Sequence, residues 1–200
     1  MYNTSQNPQV QYSLPQLTRG LFYHLQHKPL NEITVTQICQ QAGLARRTFY
    51  RNCENKEDLI LYACDKLIET LLADVDYSST NAPAMYLRFF CFWYNHRVFL
   101  QSIYQSGLYH LFRDRFESVC NQRTRFPLQD EALQTQPEPE RSRHFNNAFL
   151  LGGLTSMLCE WTREEFLSSS QSLVDSVLFL LPQEFRESAP PDNQSRGGMY

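Results

Sequence analysis

The 200-residue sequence contains no run of about twenty apolar residues, so it offers nothing to span a bilayer as a helix. It holds no Cys-x-x-Cys pair. Its six cysteines (Cys39, Cys53, Cys64, Cys91, Cys120 and Cys159) stand 11 to 39 residues apart, which argues against a zinc site or a disulfide framework and for reduced thiols on apolar helix faces. The opening MYNTSQNPQVQYS has no basic region followed by an apolar one, so a secretory leader is not expected and the expected location is cytoplasmic. Period-two alternation of any length is missing, as is any internal repeat, and the expected fold class is all-α. No Gly-x-Ser-x-Gly, phosphate loop or His-Glu-x-x-His occurs, so no enzyme chemistry, cofactor or metal is expected.

What is present begins with composition. Hydrophobic residues make up 42% and aromatics 14%, enough for a real core. The net charge of -3 hides an asymmetry. Residues 1–52 carry Arg19, Lys28, Arg46, Arg47 and Arg51 against the single acid Glu32, whereas the remainder is acidic. A basic head on an acidic body is the footprint of a protein whose head alone meets a polyanion.

Helical periodicity organises the chain. The first dozen residues read as a loose polar tail, and Ser13 with Gln16 has the capping-box spacing ahead of Leu14, Leu17, Leu21 and Leu25. Thr34 and Gln37 repeat the box before a short helix that Gly43 ends. From Ala45, the i, i+4, i+8 line of Ala45, Phe49 and Cys53 points inward, so Arg46, Arg47, Tyr50 and Arg51 face out. Two short helices joined by a Gly-containing turn, the second with a basic face, form a helix-turn-helix. Longer helices are predicted over 56–75 and 85–95, then 97–104, one ending near Arg125, 141–164 and 169–181. The acidic, Pro-containing segment 127–140 reads as a surface loop and 188–200 as a disordered tail. The predicted organisation is a DNA-binding domain over 1–55 and a helical regulatory and dimerisation domain over 56–187.

The stretch ITVTQICQQAGLARRTFYRNCENKEDL (33–59) resembles the DNA-binding signature of the TetR family of bacterial transcriptional regulators. It matches in the Thr-rich helix start, the Ala-Gly turn, the Thr-Phe-Tyr recognition helix and the Lys-Glu-Asp-Leu that follows. The resemblance implies phosphate contacts from Thr34 and Thr36, and base or phosphate contacts from Arg46, Arg47, Thr48, Tyr50, Arg51 and Asn52. It also implies a phosphate clamp at Lys56. Two departures stand out. Ala45 takes the place of the commoner Ser, removing a cap worth about 0.5–2 kcal/mol, and Cys53 replaces a more usual Phe.

The resemblance further implies a homodimer on a palindromic operator, a repressor, and release by a small-molecule or partner effector. The alternatives are a TetR-like activator or a helical protein–protein interaction module without ligand. Most aromatics of the body are expected in its core, with Phe89, Trp93, Tyr104, Phe112 and Phe116 the candidates to line a ligand pocket. His24 and His27 lie one turn apart but have no companions for a metal site, so solvent or a phosphate contact is favoured. The last two helices hold more apolar surface than a monomer should hide. Phe149, Gly152, Gly153, Leu154, Met157, Trp161, Val174, Val177, Leu178 and Leu181 are the candidate dimer interface.

Overall fold

The computed structural model describes residues 1–5, 7–73, 82–122 and 140–180, and among these every regular element is helical. The order is α1 (Pro8–Leu25), a 3₁₀ turn (Leu30–Glu32), α2 (Val35–Ala42), α3 (Arg46–Asn52), α4 (Glu57–Ala73), α5 (Ala82–Asn95), α6 (Arg97–Gln105), α7 (Tyr109–Gln122), α8 (Glu140–Arg163) and α9 (Ser170–Leu180). The all-α class holds. Of the segment 127–140, read as a loop, residues 127–139 lie outside the described residues, as does the tail 188–200, while Glu140 opens α8 instead.

The first helix starts earlier than its sequence indicates. Asn7 caps α1, its side chain accepting from the Gln9 N–H at 2.9 Å, and Pro8 occupies the first turn, where its missing N–H costs nothing. Ser13, read as the cap, is instead buried inside the helix and its hydroxyl donates to the Gln9 carbonyl at 2.6 Å. Pro15 therefore sits within α1 and offers no N–H to the preceding turn. The apolar stripe of Leu14, Leu17, Leu21 and Leu25 is buried, extended backwards by Val10.

Local chemistry sets the next two helices. Thr34 and Gln37 form the reciprocal capping box at the start of α2. Gly43 ends that helix at φ 65°, a left-handed conformation that costs a glycine little, and the Leu44 N–H returns to the Cys39 carbonyl at 2.9 Å. Ala45 opens α3 in extended geometry with no side-chain cap, as its methyl group requires. Helix α1 lies across both. Leu17, Leu21, Ile38 and Phe49 are fully buried together, and α4 closes the head with Leu59 and Ile60.

The contact between α1 and α2 is tight. A Cβ added to Gly20 would stand 2.7 Å from the Ile38 carbonyl oxygen and 3.4 Å from the Ala42 nitrogen, both backbone atoms of α2. Glycine is what lets these two helices approach so closely.

Helix α4 runs from the head into the body, where α7 packs along it and α8 packs on α6 and α7; α9 lies on α5. The body core is aromatic: Trp93 meets Phe112 at 4.8 Å between centroids, Phe112 meets Phe116 at 5.8 Å, and Phe90 meets Trp161 at 6.0 Å. Cys39, Cys53, Cys64 and Cys120 are buried as expected, but Cys91 is exposed on α5 and Cys159 half-buried. Burial pushes the Cys53 and Cys64 thiols up to about 12.

Gly20→Ala forces α1 and α2 apart, and we expect it to destabilise the fold by about 1–3 kcal/mol, the usual cost of overpacking. Urea denaturation of the variant beside the parent measures it; equal midpoints would show that the close approach is not needed.

Candidate nucleic-acid interface

The 3.6-residue repeat of α3 divides its side chains into two sets. Phe49 is fully buried and Asn52 is 1% exposed, while Arg46, Arg47, Tyr50 and Arg51 all stand in solvent and Thr48 is half-buried. The Arg46 guanidinium carbon lies 5.9 Å from the Tyr50 ring centroid, and that ring packs edge-on against Phe49 at 5.3 Å. Two cations are thus presented in the first turn and a third in the last, on a helix whose opposite side is anchored. Thr34 and Thr36, at the start of α2, are exposed too.

Two residues assigned to DNA by resemblance are used by the fold. Asn52 points inward: its amide nitrogen donates to the Ser13 hydroxyl at 2.9 Å and to the Thr48 carbonyl at 2.7 Å. It follows Phe49 by three positions and so shares the buried side of α3, where it cannot meet a groove. Lys56 precedes α4, but its ammonium donates to the Leu30 and Ile33 carbonyls at 2.6 and 2.7 Å. It staples α4 to the turn that leads into Thr34, so its first role is to fix the entry to α2. His24 sets a ring nitrogen 3.3 Å from the Gln37 carbonyl, and His27 packs against Tyr23. Among the described residues no group of three or more His, Cys, Asp or Glu could hold a metal ion.

Other contacts were not legible in the sequence. The Gln9 side chain of α1 accepts from Arg51 at 3.1 Å. Before α1, the Asn3 N–H donates to the Asn52 carbonyl at 2.8 Å, tying the N-terminal arm, read as loose, to the end of α3. The Tyr2 hydroxyl of that arm donates to Asp65 of α4, which Arg115 of α7 grips with two nitrogens, the second at 2.9 Å. Burial, and next the bond to Asp65, push the Tyr2 hydroxyl well above the ordinary phenol range, so it stays a donor. Asp65 on its helix reads as one polar residue among apolar ones, and its partners lie 63 and 50 positions away.

The ligand-pocket candidates divide. Phe89, Trp93, Phe112 and Phe116 are buried against one another and make up the body core, while Tyr104 is half-buried. Their ring surface goes into mutual packing. The Trp93 indole N–H finds no acceptor among the described residues.

The interface candidates on α8 and α9 also divide. Phe149 is 80% exposed, Gly153 is exposed, and Gly152, Met157, Val177 and Leu178 are half-buried. Leu154, Trp161 and Val174 are instead buried in their own chain, Trp161 donating its indole N–H to the Ser168 carbonyl at 2.8 Å. Leu181 lies outside the described residues. Exposed Phe145, Leu167, Phe179 and Leu180, none of them among the interface candidates, add apolar area. A groove of about 330 Å³ runs between the two helices, lined by Met157, Trp161, Leu173 and several serines and acids.

No protein-family model matches the chain, and no curated protein matches it in sequence. In structure it is similar to the dihydroxyacetone kinase operon activator DhaS, with a TM-score of 0.62 and 17% identity over 87% of this chain and 96% of that one. A looser likeness, TM-score 0.46 and 14% identity over 88% and 96%, is to the fatty acid degradation regulator FadR from Bacillus halodurans. The first of these establishes a shared fold over nearly the whole chain.

Replacing Lys56 with Ala removes the donor to two carbonyls, and we expect a loss of about 1–3 kcal/mol. Arg46→Ala, on the exposed side of α3, is expected to leave stability within about 0.5 kcal/mol. Parallel urea titrations of the two variants check this; an unchanged midpoint for Lys56→Ala would return that residue to a purely surface role.

Proposed function

We propose that this chain is a TetR-like transcriptional regulator, a non-enzymatic cytoplasmic protein that binds a palindromic operator as a homodimer. The observation that carries the reading is the exposed Arg46, Arg47, Tyr50 and Arg51 surface of α3, held outward by buried Phe49 and Asn52. An arginine fork matches guanine O6 and N7 in the major groove, each such pair giving about 1–3 kcal/mol of discrimination. Tyr50, Thr34, Thr36 and Thr48 supply hydroxyls for phosphate, which fix register rather than sequence. The acidic remainder of the chain repels the duplex and leaves the head as the docking end. No helix of the described residues is long and apolar enough to cross a membrane.

The homodimer is supported by exposed Phe149 on α8 and by exposed Phe179 and Leu180 on α9. Gly152 and Gly153 support it as well, since a Cβ at either would meet nothing within 4 Å among the described residues. A two-fold pair of heads would set its recognition helices about 34–36 Å apart, one turn of DNA. An effector, small molecule or partner, acts by preferring one spacing of the heads over the other. We favour a repressor; the name of the DhaS neighbour gives the activator as the second reading.

A titration with duplex from the gene's own upstream region tests the reading. Tighter binding than to a scrambled duplex is expected, weakening steeply with salt, and Arg46→Ala should lose about 1–3 kcal/mol of that preference. Equal affinity for both duplexes would refute a regulator. For the dimer, Phe149→Glu with Phe179→Glu should sediment as a monomer; a dimer from that double variant would move the interface elsewhere.

A further inference from the structure

The polar contacts between α1 and α3 form one connected assembly. The Asn7 side chain holds the Gln9 N–H at 2.9 Å, and the Gln9 carbonyl accepts from Ser13 at 2.6 Å. Ser13 in turn accepts from the Asn52 amide at 2.9 Å. The Gln9 backbone is therefore fixed at both ends, by the cap of its own helix and by the last residue of α3. From that fixed point its side-chain oxygen reaches the Arg51 guanidinium at 3.1 Å. Consecutive residues of α3 are thus gripped from one turn of α1, Asn52 on the inside and Arg51 on the outside.

We propose that Gln9 is a positioning residue for DNA recognition: it presets the Arg51 guanidinium for its target base, from outside the helix-turn-helix. The proposal rests on the DNA-binding reading above. The physical argument concerns freedom. An exposed arginine carries about 2 kcal/mol of rotamer entropy that docking must remove. A guanidinium already held by a neutral acceptor has lost part of that freedom before DNA arrives. Glutamine suits the task because its amide oxygen accepts one bond without neutralising the cation, leaving the charge and the remaining N–H donors for a guanine partner. A carboxylate here would compete with phosphate for the same cation. Among the described residues Arg46 and Arg47, in the first turn of α3, have no equivalent hydrogen bond to α1, so the arrangement marks Arg51 out among the three.

The test is a double-mutant cycle on the full chain, read as affinity for the upstream duplex and for its scrambled counterpart. Gln9→Met keeps length and helix propensity but removes the acceptor. It should lower the affinity ratio between the two duplexes about three- to tenfold, the cost of immobilising one long side chain on docking, with the melting temperature unchanged. In an Arg51→Ala background, Gln9→Met should have no further effect. An unaltered ratio for Gln9→Met would overturn the proposal, and so would the same loss with Arg51 absent, which would make Gln9 a DNA contact or a structural residue. If Arg46→Ala loses preference while Arg51→Ala does not, the DNA-binding reading survives and the proposal falls. If the parent protein shows no preference for the upstream duplex, that reading itself has failed.

Discussion

The DNA-binding face proposed for this protein depends on how one seven-residue helix is rotated. Left to its own propensity, α3 is too short to be stable in water and could present any face. Burial of Phe49 fixes the rotation, and the Asn52 amide, bonded to Ser13 of α1, locks it. Because a helix turns about 100° per residue, anchoring those two positions turns Arg46, Arg47, Tyr50 and Arg51 to solvent. A single rotational constraint converts a run of charged and aromatic residues into a surface. Ala45 leaves the helix start uncapped, so this tertiary hold substitutes for local capping.

The head is joined to the body by a second device of a different kind. Asp65 is 5% exposed and stays satisfied through three donors: two nitrogens of Arg115 and the hydroxyl of Tyr2. A buried carboxylate with those partners is tolerable; stripped of them it would carry a large desolvation penalty. The N-terminal arm, α4 and α7 therefore meet at one polar point. Asn3 extends the same arm to the end of α3. Helix α3 and the body are consequently connected twice, through the apolar face of α4 and through the arm.

Much of this was legible in sequence, for reasons that can be traced. The Thr34/Gln37 box and Gly43 are local signals that the structure keeps; of the line Ala45, Phe49 and Cys53 it buries the last two, while Ala45, extended ahead of α3, is exposed. Long helices in the body followed from 3.6-residue periodicity. What escaped was long-range or ambiguous in type. Ser13-x-x-Gln16 has the spacing of a cap, yet Asn7-Pro8 provides a better one upstream, and the hydroxyl of Ser13 goes to Gln9 and Asn52. The resemblance assigns Asn52 and Lys56 to DNA, but the fold takes both, Asn52 on the buried side of α3 with Phe49 and Lys56 on the Leu30 and Ile33 carbonyls. Trp161, Leu154 and Val174 were read as interface because periodicity reports only that a face is apolar. It does not say whether the covering surface belongs to the same chain.

The central claim is that the outer face of α3 enters the major groove of DNA, twice, one turn apart. Methylation interference at guanine N7 on the upstream duplex measures this most directly, since a methyl there blocks the acceptor an arginine would use. The account predicts two clusters of interfering guanines on one face of the duplex, about 10–10.5 base pairs apart between centres. Binding that is indifferent to N7 methylation, or sensitive only at minor-groove positions, would contradict it.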